Sequence, residues 1–445
     1  MSIPTVAEMD KADDPQGYEF YAKQIMSEFS FKTLRDTEEI LIYENGIYKS
    51  GAETYIKQRC QDIIPKCIIN KIKEVINTIK RCTYVLREDF DSNPNYLNLR
   101  NGILNLTTGR IQAHSPKHLF RIQLPVSYDQ KKGPVKFMKF LMETLPDVRN
   151  RTNAIEAFAY TLLLDLKLEK MIMNLGGGSN GKSTFLSIIE IFLGADNVSN
   201  TSIHDLVSNQ FAKSRLDGKM ANIYADISKR ELPELGAVKA LISGDSIDVE
   251  RKHQNSFKIK NTAKMIYSCN ELPEIGESSH AVYRRLLLIQ WNSQFIHQKG
   301  KNDINVEMLN KLTTARELSG ILNLLIKVAQ RLKRNGKFTY DTKPSELQKT
   351  WSLKSDPIGK FLESCVEKDL ETKIPKVKLF DAFTNWCKKN EITPKSEKAF
   401  NAKVTEIFEV SPTTGRIEGK PTKIWHGLKI LDEVTSDTTV TTLIS

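Results

Sequence analysis

Residues 171–194, MIMNLGGGSNGKSTFLSIIEIFLG, constrain the chain more than any other stretch. Met171 to Leu175 is an apolar run of buried-strand length. Thr184 to Leu193 carries apolar residues at helical spacing, and Gly194 stops it. Between them Gly176, Gly181, Lys182 and Ser183 satisfy G-x-x-x-x-G-K-[ST], in the strand–loop–helix order that a phosphate-binding loop requires. Glycines allow backbone N–H groups to converge on phosphate oxygens. The helix N-terminus adds the positive end of its dipole. Lys182 would reach the β- and γ-phosphates, and the Ser183 hydroxyl would ligate Mg²⁺. The expected ATP-binding loop is therefore Gly176, Gly177, Gly178, Ser179, Asn180, Gly181, Lys182, Ser183 and Thr184.

The rest of the composition narrows the class. At 445 residues the chain suits two to four domains. It holds 65 basic against 54 acidic residues, a net charge of +11 that favours an anionic partner. Its cysteines, Cys60, Cys67, Cys82, Cys269, Cys365 and Cys387, are scattered, with no C-x-x-C and no Cys/His cluster. That spacing argues against zinc and for reduced thiols. The first residues have no apolar signal-peptide core, and no run reaches transmembrane length. A soluble, cytoplasmic or host-intracellular protein without a membrane partner is expected.

In chain order, residues 1–18 read as disordered and 19–134 as a mixed α/β domain. Within it, Glu39–Tyr48 reads as a hairpin turning at Asn45-Gly46, Ala52–Cys82 as helical, and Tyr96–Tyr128 as short strands and turns. Residues 135–303 read as the ATPase core with leading helices. After the loop, strands are expected at Met220–Ile227, Ala263–Cys269 and Arg284–Trp291, with a helix at Leu235–Ser243 and a hairpin over Ile247–Ile259. Residues 304–352 are expected as a helical segment (Ile304–Leu332) and a linker, the polar stretch from Asn335 to Ser355 containing Pro344. Residues 353–432 form a further small unit. Its expected helices are Phe361–Lys368, Val377–Lys389 and Glu397–Phe408, followed by strands Gly415–Glu418 and Lys423–His426, the winged-helix order. Residues 433–445 read as a disordered tail. The fold class is α/β.

Chemistry beyond the loop needs a carboxylate for Mg²⁺ or water at the end of a strand beside the loop, and Asp226 fits. A polar group sensing the γ-phosphate should end the next strand, where Asn270 stands. Arg284 and Arg285 precede an apolar strand and suit action in trans on a neighbour's ATP, or simply a solvated strand end. Arg251, Lys252 and His253 crowd a hairpin tip, which reads either as nucleic-acid backbone contact or as an exposed basic turn. Asp89-Phe90-Asp91 has the spacing of a two-metal carboxylate pair, but precedes a loop signal, Ser92-Asn93-Pro94.

The order of G-x-x-x-x-G-K-S, strand-end Asp226, Lys239–Asp245, the basic hairpin, Cys269-Asn270 and Arg284-Arg285 resembles the superfamily 3 helicases. More narrowly, the chain resembles the phage/plasmid and poxvirus-type primase-helicases. Asn98–Tyr128 looks like their characteristic N-terminal domain, and Phe383–Trp386 with the segment after it looks like their C-terminal winged helix. The resemblance implies an AAA+-like core and a hexameric ring with ATP sites between subunits. It also implies hairpins gripping single-stranded DNA at a fork, and 3′-to-5′ movement. It assigns the phosphate loop to Gly176–Thr184, the metal-holding acid to Asp226 with Ser183, the sensor to Asn270 and the arginine finger to Arg284 or Arg285. Ser243-Gly244-Asp245 would lead into the DNA-binding hairpin, with Lys252 and His253 at its tip. ATP and Mg²⁺ are the implied cofactors, and a primase or polymerase the implied further partner. The chain departs from the pattern twice. Ala225, not a second acid, precedes Asp226, so Glu231 or Glu234 would have to assist if one carboxylate does not suffice. No segment reads as a catalytic primase ahead of the core. The expected activity is an ATP-dependent replicative DNA helicase of a virus, plasmid or integrated element. The competing readings are a nucleotide-switched initiator or loader that does not unwind, and a primase-helicase priming at Asp89 and Asp91.

Overall fold

The computed structural model describes residues 17–65, 67–227, 232, 236–252, 255–275, 280–293, 306–390, 392–417 and 420–431. Residues 1–16 of the expected disordered start, the tail 433–445, His253, Glu231 and Glu234 lie outside the described residues. Gly17 and Tyr18 already belong to helix α1 (Gly17–Glu28). The described residues fall into two compact units. One runs to residue 341 apart from 271–283, and the other joins 271–283 to the residues from 342 onward.

The first unit begins with β1 (Phe31–Leu34), β2 (Ile40–Glu44) and β3 (Ile47–Lys49), then α2 (Ala52–Ile63), α3 (Ile69–Thr83) and β4 (Tyr84–Val85). The sheet order is β3-β2-β1-β4. The expected Asn45-Gly46 turn joins β2 to β3, with φ of 51° and 95° at its two residues. That is the twist a two-residue hairpin favours. Tyr21, Ile25, Phe31, Ile42, Ile56, Val75 and Ile79 form a core of their own. The next meander, β5 (Tyr96–Leu99), β6 (Gly102–Asn105) and β7 (Ile111–Gln112), packs elsewhere. Its Leu97, Leu99 and Leu104 join the core of the phosphate-loop layer.

That layer contains α4 (Val135–Thr144), α5 (Val148–Tyr160), β8 (Met171–Leu175), α6 (Lys182–Leu193), β9 (Val198–Ser199) and β10 (Ala221–Tyr224). It continues with α7 (Gly236–Ser243), the hairpin β11 (Ser246–Val249) and β12 (Phe257–Lys260), then β13 (Lys264–Cys269), β14 (Leu286–Gln290) and α8 (Ala315–Asn335). The sheet runs β14-β8-β13-β10-β9 with every pair parallel. Parallel sheets are covered on both faces, so their central strands read as continuous apolar runs. Every residue of β13 is accordingly buried. α6 lays Phe185, Leu186, Ile188, Ile189, Phe192 and Leu193 into the core.

The second unit holds α9 (Pro344–Ser355), α10 (Pro357–Cys365), β15 (Val366–Pro375), α11 (Lys376–Lys389), α12 (Glu397–Phe408), β16 (Thr413–Ile417) and β17 (Lys420–Ile430). Two expectations need correction here. The stretch 344–355, expected within a linker, is a helix. Pro344 stands in its first turn, where a missing N–H costs nothing, and Leu347 and Trp351 are buried. The helix expected at Phe361–Lys368 ends at Cys365, and the chain continues as a ten-residue strand. Helix α12 matches the expected Glu397–Phe408. The sheet order is β15-β17-β16, antiparallel throughout. Phe361, Phe383, Phe400 and Trp425 centre this unit's core. Among the described residues no helix is long and apolar enough to cross a membrane.

Candidate nucleotide-binding site

The glycine loop joins β8 to α6 at the C-terminal edge of the parallel sheet. Gly177, Gly178 and Ser179 are exposed, whereas Gly176, Asn180 and Lys182 are tucked in. Two glycines are required by their surroundings. A Cβ on Gly176 would stand 2.4 Å from the Trp291 carbonyl oxygen and 2.3 Å from Asn180 Nδ2. Gly181 has φ of 92°, and a Cβ there would meet Thr144 Cγ2 at 2.6 Å. Asn180 fixes the loop by donating from Nδ2 to the Trp291 carbonyl at 3.1 Å. Trp291 in turn donates from its indole to Asn174 Oδ1 on β8 at 3.0 Å. Sequence reasoning missed Trp291 and Asn174, because the bonds join strands that are far apart along the chain.

Lys182 is 5% exposed, and its ammonium rests among oxygens. It donates to the Gly176 carbonyl, to Asn180 Oδ1 at 3.4 Å and to Asn270 Oδ1 at 3.3 Å. Burial pushes its pKa down, while Cys269 and Asp226 oppose that shift. The buried Cys269 thiol is pushed up to about 12, with Lys182 pulling it down and Asp226 pushing it up. Asp226 follows β10, at the same C-terminal edge of the sheet as Asn270. Its side chain is exposed, and its backbone is left-handed, with φ of 67°. A non-glycine residue held there is uncommon outside turns and functional sites.

The strand order differs from the sequence expectation, which puts Asp226 on the strand beside β8 and Asn270 on the next. Instead β13, which delivers Asn270, lies between β8 and β10, which delivers Asp226. Strand β10 itself stops at Tyr224, short of the expected Ile227, although the Ile227 N–H still donates to the Ser268 carbonyl at 2.8 Å. The loop, the amide and the acid therefore come together through three strands that are not neighbours in sequence.

Arg284 and Arg285 are not brought to this edge. They precede β14, whose Leu286 pairs with Met171, the first residue of β8. One strand length, about 16 Å, separates that edge from the loop. Arg284 is half-exposed and 3.4 Å from Glu169. Arg285 is 12% exposed, 3.0 Å from Glu169, and donates to Ser243 Oγ at 3.0 Å. At the hairpin, Lys252 is exposed, whereas Arg251 lies against Asp217 and Glu39. Ser183 is exposed in the first turn of α6, and Thr184 is partly covered. Ser183 and Asp226 are both exposed and carry oxygens of the kind a hard cation takes.

Asp89 and Asp91 do not form a metal pair. Asp89 accepts the Leu86 N–H at 2.9 Å in a local turn. Asp91 accepts the Arg121 and Ile122 N–H groups, each at 3.1 Å. Burial raises the Asp91 pKa to about 7. Among the described residues there is no group of three or more His, Cys, Asp or Glu side chains able to hold a metal.

Three family profiles match the chain. Residues 22–146 match "D5 N terminal like", residues 353–431 match "Poxvirus D5 protein-like", and residues 175–285 match a family of unknown function (DUF5906). Among curated relatives, a protein named as a candidate helicase (121R) of Invertebrate iridescent virus 3 is 22% identical over 360 residues. That alignment covers 72% of this chain and 38% of the relative. A protein named as a candidate primase (C962R) of African swine fever virus is 24% identical over 229 residues, covering 48% of this chain and 24% of the relative. The chain thus spans about a quarter to two fifths of the length of these relatives. Among solved structures, the apo C terminal region of NrS-1 superposes with a TM-score of 0.52 at 14% identity. That match covers 93% of this chain and 99% of that one, a likeness of fold.

Proposed function

We propose, for a chain that carries D5-type domains at its two ends and whose relatives are helicase- and primase-named proteins of large DNA viruses, that it is an ATP-driven DNA helicase. The observation that carries the reading is the contact of Lys182, at the start of the helix after the glycine loop, with Asn270 at the end of β13, while Asp226 follows the next parallel strand, β10, at the same edge of the sheet. Lys182 would bind the β- and γ-phosphates, exchanging its present oxygen partners for phosphate oxygens. Ser183 and Asp226 would hold Mg²⁺, which neutralises charge that develops on the phosphates. Asn270, already in contact with Lys182, would report the γ-phosphate to β13. The placement of the sensor strand between loop strand and acid strand supports an AAA+-like core of superfamily 3 type. The order of helix, long strand, two helices and antiparallel hairpin in the second unit supports a winged helix.

No described arginine of the same chain is paired at the loop. Arg284, half-exposed at the other edge of the sheet, suits a finger acting on a neighbour's ATP, as a hexameric ring would place it. Movement 3′-to-5′ on single-stranded DNA, and a primase or polymerase partner at the fork, belong to the same reading. Strand displacement on a forked DNA duplex, with and without ATP and Mg²⁺, tests it. Displacement that requires ATP, and is lost on blocking the 3′ tail, is the expected result. ATP-dependent duplex binding without displacement would favour the initiator reading instead. A priming assay run beside it tests for primase activity, for which Asp89 and Asp91 offer no metal pair.

A further inference from the structure

Arg284 is held twice by consecutive residues ahead of β8. Glu169 meets its guanidinium, Oε2 to Nη2 at 3.4 Å. Lys170 donates from Nζ to its backbone carbonyl at 2.7 Å. Glu169 has φ of 46°, a left-handed backbone that non-glycine residues rarely adopt. The Arg285 carbonyl accepts the Met171 N–H at 2.7 Å, a ladder bond that any residue but proline would supply. The Lys170 bond, by contrast, needs a long cationic side chain. Both side chains of the Glu169–Arg284 pair are solvated, and such a pair fixes a guanidinium weakly. Where Arg284 stands is therefore set chiefly through its backbone.

Lys170 is itself fixed. It is 7% exposed, and Asp341 meets its charge, Oδ1 to Nζ at 2.6 Å. Charge-assisted bonds of this length are strong. Asp341 ends a segment that is fastened to α5. Phe338 is buried, its ring edge-on to Tyr160 at 5.8 Å. The buried Glu156 carboxylate accepts the Thr339 N–H at 2.9 Å and the Thr339 hydroxyl at 2.5 Å. Asn153 donates from Nδ2 to the Tyr340 carbonyl at 3.0 Å. Residue 341 is also the last of the first unit.

We propose that Lys170, backed by Asp341, is the positioning residue of Arg284. It sets where the guanidinium stands toward a neighbouring copy's nucleotide, and it ties that place to residues 338–341, by which the chain leaves the first unit. This deepens the helicase reading and rests on its assignment of Arg284 as a finger. A group that stabilises transition-state charge acts only from the right place, and a shift of about 1 Å costs on the order of 100-fold in rate. An exposed arginine on a loose backbone lacks that precision. One bonded at its carbonyl to a buried, paired ammonium has it. Lys170 stands before β8 and the glycine loop after it, so the lysine is a strand length away from the loop of its own chain.

The test measures steady-state ATP hydrolysis by the full chain, alone and in mixtures, each protein with its thermal midpoint. Lys170→Met keeps the side chain's length and removes the donor. Its kcat should fall on the order of 100-fold with KM for ATP within about twofold of wild type, because the loop of its own chain is intact. Mixed with Lys182→Ala protein it should regain activity, since an intact loop then meets an intact, well-placed arginine. Mixed with Arg284→Ala protein it should regain none, because both lesions lie on the finger side of the shared site. A lesion of the fold alone would recover with neither partner. Asp341→Asn keeps an acceptor oxygen for the ammonium. It should give a smaller fall and the same pattern of mixing, and it decides the matter if Lys170→Met does not fold. Wild-type turnover in Lys170→Met, recovery with Arg284→Ala protein, or none with Lys182→Ala protein overturns the proposal. Arg284→Ala mixed with Lys182→Ala protein is the reference for the reading beneath it. No recovery there, at proven subunit exchange, sinks the shared site. Recovery there and not with Lys170→Met sinks only the role of Lys170.

Discussion

Lys182 and Asn270 stand 88 positions apart, yet Nζ lies 3.3 Å from the amide oxygen, at the head of two adjacent parallel strands. One residue begins the helix after the glycine loop, and the other comes directly after the last residue of β13. This contact makes the loop sensitive to movement at the end of β13.

Lys182→Ala and Asp226→Asn should fail differently. The lysine variant removes the charge expected against the phosphates, so hydrolysis should fall by about 100-fold or more, with weaker nucleotide binding. Asp226→Asn should retain binding and lose Mg²⁺-dependent turnover. Nucleotide binding by fluorescence beside phosphate release distinguishes them. Normal turnover in Asp226→Asn, with loss in Glu231→Gln or Glu234→Gln, would move the acid to one of those positions.

The adjacent arginines should separate into a structural and a functional one. Arg285→Ala removes a mostly buried partner of Glu169 and Ser243. It should destabilise the fold by about 1.5 kcal/mol, the loss of a charged hydrogen bond, because Glu169 stays solvated and paired with Arg284, seen as a lower thermal midpoint. Arg284→Ala should leave the midpoint within about a degree, because exposed pairs contribute little, and should still lose most ATPase activity. Mixing inactive Arg284→Ala with inactive Lys182→Ala protein should restore some activity. No recovery despite proven subunit exchange would count against a site shared between copies.

Asp217→Asn should be among the most damaging single changes. It leaves Arg87, Arg121 and Arg251 converging on a nearly buried neutral amide. A loss of about 3 kcal/mol is expected, measured by urea unfolding. Asp217→Glu, which keeps the charge, should recover part of it.

Asp91 should make stability depend on pH. Its folded pKa is raised from 3.8 to about 7, chiefly by burial. The folded state therefore holds a proton that the unfolded state has released between those values. Stability from this group is fully present below pH 4 and is lost as pH rises toward 7. Asp91 Oδ1 accepts both the Arg121 and Ile122 N–H groups, an arrangement that an asparagine oxygen can reproduce. Asp91→Asn should thus fold and lack this pH-linked slope. Parallel slopes in variant and wild type between pH 4.5 and 7 would refute the assignment.

The sequence alone determined the features that depend on local order. G-x-x-x-x-G-K-S between an apolar run and a helix specifies its own turn, because Gly176 and Gly181 sit where a Cβ would collide. Asn45-Gly46 specified its hairpin through two positive φ angles, and the helical spacing of Glu397–Phe408 specified α12. What the tertiary structure decided was adjacency. Strand order in a parallel sheet is set by crossover packing and leaves no mark in any one strand, so the position of β13 between β8 and β10 was not legible. Nor was the fate of Arg251: an exposed cation and one bound to a buried carboxylate look alike until Glu39 and Asp217, distant in sequence, arrive against it. The same holds for residues 344–355, whose polar composition reads as a linker until burial of Leu347 and Trp351 stabilises a helix that propensity alone leaves marginal.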